Sequence, residues 1–96
     1  MQFLVLAYDG EDALERRMLA REKHLEMAEK MKANGSMLYA AAMLNNEGEM
    51  AGSAMVVEFD SQEDIQGWLD EEPYVLGHVW ENVEIVACKV APLFAK

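Results

Sequence analysis

MLYAAAMLNNEGEMAGSAMVVEF, residues 37–59, is the stretch of sequence that decides the fold. Residues 37–44 are uncharged and residues 53–59 are rich in β-forming side chains, while Asn-Asn-Glu-Gly-Glu at 45–49 has the composition of a turn. On propensity alone residues 37–44 could form a helix, but the segment is short, follows a Gly-Ser break and precedes polar residues. The pattern therefore predicts two antiparallel strands joined as a hairpin.

The chain before the hairpin predicts a strand and a long helix. Residues 2–8 are almost wholly apolar and run into Asp-Gly, which is typical of a buried strand ending in a turn. From about residue 12 the sequence changes to long helix-forming side chains, and Gly35 is suited to end that helix.

The chain after the hairpin predicts a short helix and a last strand. Ser61 and Asp64 have the spacing of a capping box, which marks a helix start. The helix must end before Pro73, because a residue that precedes proline is excluded from the α conformation, so residues 70–74 are expected to form a loop. Residues 82–90 form the predicted last strand.

This order of elements, βαββαβ, predicts an α+β, ferredoxin-like fold with a four-stranded antiparallel sheet and two helices on one of its faces. The first, second and fourth strands carry apolar residues on both sides, whereas a sheet with one solvated face should alternate. Two helices cover one face only, and a large exposed apolar face is unusual in a monomer. We therefore predict a homodimer that forms through the sheet.

Composition bounds the class of protein. Ninety-six residues predict a single domain over residues 1–96. Eight basic residues against eighteen acidic ones give a net charge of −10, which disfavours nucleic acid as a partner. The longest uncharged stretch, residues 33–46, is too short to span a membrane. The start of the chain lacks a secretory signal, and Cys88 has no second cysteine to pair with. We expect a cytoplasmic protein that binds no membrane.

The first helix carries the basic residues of most interest. On a helical wheel Arg21 falls within the predicted core-facing stripe, while Arg17 and His24 fall on one flank of it. Arg21 either extends its charged end to solvent or pairs with a structural carboxylate, or else Arg21 and His24 face a pocket between helix and sheet. The stripe itself consists of Leu14, Met18, Leu25 and Ala28.

His24 is one of two histidines, and a lone histidine is usually structural. A neighbouring carboxylate would fix its tautomer and support general base chemistry near neutral pH. The acidic residues 70–72 offer candidates, although spacing alone does not place them beside the helix. Two histidines and one cysteine give no zinc-ligand spacing, and no phosphate-binding glycine loop is present, so we predict neither a metal nor a cofactor.

Several motifs in order along the chain resemble the YciI-like (YCII-related) family. They are Arg21-Glu22-Lys23-His24-Leu25, Gly52-Ser53, Trp68, Glu72-Pro73-Tyr74 and Gly77. The resemblance covers essentially the whole chain and implies a ferredoxin-like fold of the dimeric α/β-barrel superfamily with a catalytic His and Asp. His24 matches the family histidine, and the family's Asp-Pro-Tyr is Glu72-Pro73-Tyr74 here, with the carboxylate on a side chain one methylene longer. A few characterised relatives are dehydrochlorinases of chlorinated aromatic ring compounds.

Two functions of different class follow. The first is a cofactor-independent lyase or isomerase acting on a small anionic compound, such as one derived from an aromatic ring. In it His24 is the base, Glu72 orients His24, and Arg21 holds an anionic or enolate oxygen. Ser53 and Tyr74 either hydrogen-bond this substrate or only complete the strand and the loop. The second is a non-catalytic domain that keeps the fold and binds a small molecule or a partner without turnover.

Overall fold

A computed structural model describes residues 1–94. The elements are β1 (Gln2–Asp9), α1 (Leu14–Asn34), β2 (Met37–Leu44), β3 (Met50–Glu58), α2 (Gln62–Glu71), α3 (Pro73–Leu76) and β4 (Trp80–Cys88). The strands form one antiparallel sheet in the order β2-β3-β1-β4. The predicted βαββαβ order, the α+β class and the four-stranded sheet are thereby confirmed. Within the described residues, no helix is both long and apolar enough to cross a membrane.

The turns form for local reasons that the sequence carries. In the β2–β3 hairpin the Asn45 side chain accepts hydrogen bonds from the backbone N–H groups of Glu47 and Glu49, and Gly48 adopts a φ of 78°. Gly35 ends α1 with a φ of 88°, a left-handed conformation that glycine adopts without strain. At the start of α2, the Ser61 hydroxyl accepts from the Asp64 N–H at 3.3 Å, as the capping box predicts.

The structure differs from the prediction around Pro73. The residues 70–74 predicted as a loop instead end α2 and begin α3, a single helical turn. Glu72 alone is extended, with φ −66° and ψ 124°, as expected of a residue before proline. Proline is favoured in the first turn of a helix because its missing N–H is not needed there, so the helix restarts at once. The strands β3 and β4 also begin before the predicted residues 53 and 82.

The two faces of the sheet are different. The face covered by the helices holds the core, in which buried strand residues pack against Met31, Ile65, Trp68 and Leu69 from the helices. The other face is open and carries the intervening residues of each strand. Its apolar members at the centre and along β4 include Leu4, Leu6, Val56, Val86 and Cys88.

The orientation of α1 corrects the predicted core stripe. Met18 and Leu25 are 52% and 45% exposed, whereas Arg17, His24 and Met31 face the sheet and are buried. The apolar residues of α1 are spread around the helix, so they do not fix which side packs inwards. Its orientation instead pairs the Arg17 side chain with the Asp9 carboxylate and the His24 side chain with the Glu72 carboxylate.

Candidate active site

His24 and Glu72 form a buried pair beneath α1. The Nδ1 atom of His24 lies 2.6 Å from Oε1 of Glu72, and the Glu72 side chain is only 1% exposed. Since an ionised carboxylate can only accept, Nδ1 carries the proton and donates it. In the neutral ring Nε2 then holds a lone pair, and no hydrogen bond within residues 1–94 occupies it.

The Glu72 carboxylate is held by three donors. Besides His24, the indole Nε1 of Trp68 donates to Oε2 at 3.2 Å, and the backbone N–H of Tyr74 donates to Oε1 at 3.1 Å. The Tyr74 contact is the N-cap of α3, so the side chain that orients the histidine also starts the helix. Glu72 is therefore fixed in place by α2, α3 and the Pro73 turn together.

Aromatic rings enclose the histidine. The Tyr74 ring stacks on the imidazole with centroids 3.9 Å apart and an interplanar angle of 12°, and Trp80 meets the imidazole edge-on at 5.9 Å. Burial raises the pKa of the Tyr74 hydroxyl above its usual value, although the positive charges of Arg17 and Arg21 oppose that shift. The phenol thus stays protonated throughout the physiological range.

A second buried ion pair lies beside the first. Arg17, 3% exposed, donates from Nη1 to both carboxylate oxygens of Asp9 at 2.9 and 3.1 Å and from Nη2 to the Ser53 hydroxyl at 2.9 Å. Its guanidinium carbon is 4.6 Å from the centroid of the Tyr74 ring, over which it lies. Burial raises the pKa of the Asp9 carboxyl, and the attraction and hydrogen bond of Arg17 lower it.

These groups border a cavity of about 140 Å³ between α1 and the β2–β3 hairpin. Four of the five predicted site residues line it: Arg21, His24, Ser53 and Tyr74. Glu72 lies behind the histidine. Arg21 is exposed at the cavity rather than buried in the core, and none of the salt bridges within residues 1–94 involves it.

Sequence reasoning missed Asp9, Arg17, Trp68 and Trp80 as parts of this site. The available signal was the position of Arg17 seven residues before His24, which places both on one side of α1. Within the described residues, no group of three or more His, Cys, Asp or Glu side chains is arranged to hold a metal ion. Cys88 lies on the open face of the sheet, opposite Gln2 and away from the cavity.

Comparisons with known proteins agree with this architecture. A family model of the YCII-related domain matches residues 1–89. Protein YciI from Escherichia coli O6:H1 (strain CFT073) is 34% identical over 91 residues, which cover 88% of this chain and 93% of the relative.

Two solved structures extend the comparison. A 5-chloro-2-hydroxyhydroquinone dehydrochlorinase from Burkholderia phenoliruptrix AC1100, in complex with 2,5-dihydroxybenzoquinone, matches with a TM-score of 0.84 at 20% identity, over 95% of this chain and 96% of that one. An antibiotic biosynthesis monooxygenase matches with a TM-score of 0.55 at 10% identity, over 95% and 98% of the two chains. These likenesses show the shared fold. From the family model over residues 1–89 and the 34% identity to YciI, the chain belongs to the YCII-related family.

Proposed function

We propose that this protein is a cofactor-independent lyase or isomerase that removes a proton from a small anionic compound. His24 is the general base, Glu72 is the positioning residue that holds its tautomer, and Arg21 attracts the anionic group of the substrate. Ser53 and Tyr74 contact the substrate inside the cavity.

The observation that carries the proposal is the 2.6 Å contact between His24 Nδ1 and Glu72 Oε1. It leaves the lone pair on Nε2 of a histidine that lines a cavity. A solvated glutamate would not have this effect, because it would neither fix the ring nor choose the tautomer. The three donors on the Glu72 carboxylate make the orientation rigid, as a general base requires.

Charge supports an anionic substrate. The protein carries a net charge of −10, so the cavity is a local exception, with Arg17 and Arg21 in its wall. Asp9 pairs with Arg17, which leaves the Arg21 guanidinium as the cation available to a ligand. The structural neighbour named as a dehydrochlorinase was solved with a small ring compound bound, which is consistent with a small-molecule enzyme.

The test is deuterium exchange. Small carbonyl acids and hydroxylated single-ring compounds would be incubated with the protein in D₂O, and exchange of carbon-bound protons followed by NMR. We expect exchange in at least one compound, with a rate that His24→Gln lowers by about 10²-fold or more, since general base catalysis contributes that much. The matched control is Lys23→Gln, an exposed neighbour on α1, which should exchange like the wild type.

Two outcomes contradict the proposal. Equal exchange rates in the wild type and in His24→Gln would show that the histidine is not the base. Compounds that bind to the wild type without any exchange would favour the non-catalytic binding domain instead.

We also propose that the protein is a homodimer formed through the open face of its sheet. That face carries a continuous apolar surface around Leu4, Leu6 and Val56, which water would otherwise contact. A second copy covers it without any further element.

A further inference from the structure

We infer that the Asp9–Arg17 ion pair prepares the Ser53 hydroxyl to bind the substrate oxygen that becomes negatively charged when His24 removes a proton. The site then takes a compound in which that oxygen is conjugated to the bond that loses the proton. This inference rests on the proposed function, which assigns the base but no group behind Ser53.

The first step is the geometry behind Ser53. Arg17 Nη1 donates to both oxygens of the Asp9 carboxylate, and Arg17 Nη2 donates to Ser53 Oγ at 2.9 Å. All three side chains are buried, so the chain of hydrogen bonds is shielded from water. Hydrogen bonds of this kind strengthen one another in a medium of low dielectric constant.

The second step concerns the hydroxyl proton. A serine hydroxyl has one donor and two acceptor lone pairs, and Arg17 uses only a lone pair. No acceptor for the Ser53 proton lies among residues 1–94, whereas Ser53 lines the cavity. A cation bound to Oγ draws electron density from the O–H bond, so this proton is a stronger donor than that of an ordinary serine.

The third step is how the arginine is held. The two Asp9 oxygens fix Nη1, and the face of the Tyr74 ring lies 4.6 Å from the guanidinium carbon. Together these contacts fix the guanidinium so that Nη2 is directed at Ser53.

The proposed chemistry follows from the positions of His24 and Ser53, which both line the cavity. The C–H or O–H bond of the substrate breaks, its proton moves to Nε2 of His24, and its electron pair is delocalised onto the substrate oxygen that the Ser53 hydroxyl holds. Return of that proton to another atom completes an isomerisation, and departure of a leaving group completes an elimination. The cavity of about 140 Å³ matches a single ring, since a cavity of about 150 Å³ holds benzene.

The test uses 4-nitrophenol, one ring with one ionisable oxygen, and nitrobenzene, the same ring without it. At a pH where nitrophenol is ionised, we expect Ser53→Ala to bind nitrophenolate about tenfold more weakly or worse, because it loses a hydrogen bond to a charged oxygen. Nitrobenzene affinity should stay within about twofold by the same reasoning. Circular dichroism would check that the variant is folded.

Measurements on the wild type keep the inference testable if Ser53→Ala does not fold. The absorption spectrum of bound nitrophenol reports its ionisation state, and we expect binding to favour the phenolate. The inference is overturned if the wild type prefers the neutral phenol, if it binds no phenolate, or if Ser53→Ala weakens both ligands equally or neither.

Separate measurements distinguish this inference from the proposed function. Deuterium exchange in the wild type and in His24→Gln tests the base, whereas nitrophenolate affinity in the wild type and in Ser53→Ala tests the oxyanion role. Exchange that depends on His24, together with equal nitrophenolate affinity in the wild type and Ser53→Ala, would refute the oxyanion role alone. Weaker nitrophenolate binding by Ser53→Ala, together with exchange that does not depend on His24, would refute the base alone.

Discussion

Replacing Glu72 by glutamine tests the centre of the site, because its carboxylate accepts from three buried donors. The amide has nearly the same shape but only one acceptor oxygen. With that oxygen toward His24 and the Tyr74 N–H, the amide nitrogen faces the Trp68 indole N–H, so the indole N–H and an amide N–H are left unpaired. The opposite rotamer restores the Trp68 contact but turns the amide nitrogen toward the Tyr74 N–H, so donors are left unpaired there as well.

Each unpaired buried donor costs about 1–3 kcal/mol, so two of them should lower the free energy of unfolding by about 2–6 kcal/mol. For a chain of this length that corresponds to a melting temperature lower by about 8 °C or more. The matched control is Glu71→Gln, an exposed carboxylate one residue away, which should change stability by no more than about 0.5 kcal/mol.

Urea denaturation followed by far-ultraviolet circular dichroism measures the difference. All variants need the same protein concentration, because association shifts apparent stability. If Glu72→Gln changes the unfolding free energy by less than about 0.5 kcal/mol, the carboxylate does not hold the three donors and the reasoning fails.

Three further outcomes are expected. Burial raises the pKa of Tyr74, so its phenolate absorbance should develop above about pH 10, the ordinary pKa of a tyrosine. Because the folded state keeps this proton while an unfolded tyrosine loses it near pH 10, stability should fall from about pH 10 upward, and Tyr74→Phe should remove that loss. Gly52→Ala should destabilise, because a Cβ there would lie 2.7 Å from the Ala7 carbonyl oxygen, while Gly67→Ala in α2 meets no atom within 4 Å and should stabilise by about 0.5–1 kcal/mol in thermal unfolding. Sedimentation should show a dimer that Val86→Glu dissociates without unfolding, since Val86 is 49% exposed in the single chain; a monomeric wild type would contradict the homodimer.

Local signals were enough to predict the order of the elements. The Asn45 to Glu49 turn, the Gly35 stop and the Ser61 cap each act over a few residues, and each forms as expected. The Pro73 region was predicted less well, because proline both ends one helix and favours the start of another. In the structure the Glu72 side chain also caps the new helix, a contact that the spacing of residues 70–74 did not indicate.

The site could be predicted only in part. Sequence motifs selected His24 and Glu72, but their 48-residue separation says nothing about distance, and tertiary packing alone brings them together. The role of Arg17 was hidden by the assumption that the most apolar side of α1 faces inwards. A buried arginine with a buried carboxylate partner can override that rule, and Asp9 gave no local sign that it was the partner.

Both tryptophans of the chain belong to the wall around the His24–Glu72 pair: the indole N–H of Trp68 donates to the carboxylate, and Trp80 meets the imidazole edge-on. The tryptophan fluorescence of the protein therefore comes from within a few ångströms of the pair. No label is needed to watch the site. A compound that enters the cavity, or a change in the charge of the imidazole, should alter the tryptophan emission directly. Libraries of small molecules could therefore be screened on the unmodified protein by its fluorescence.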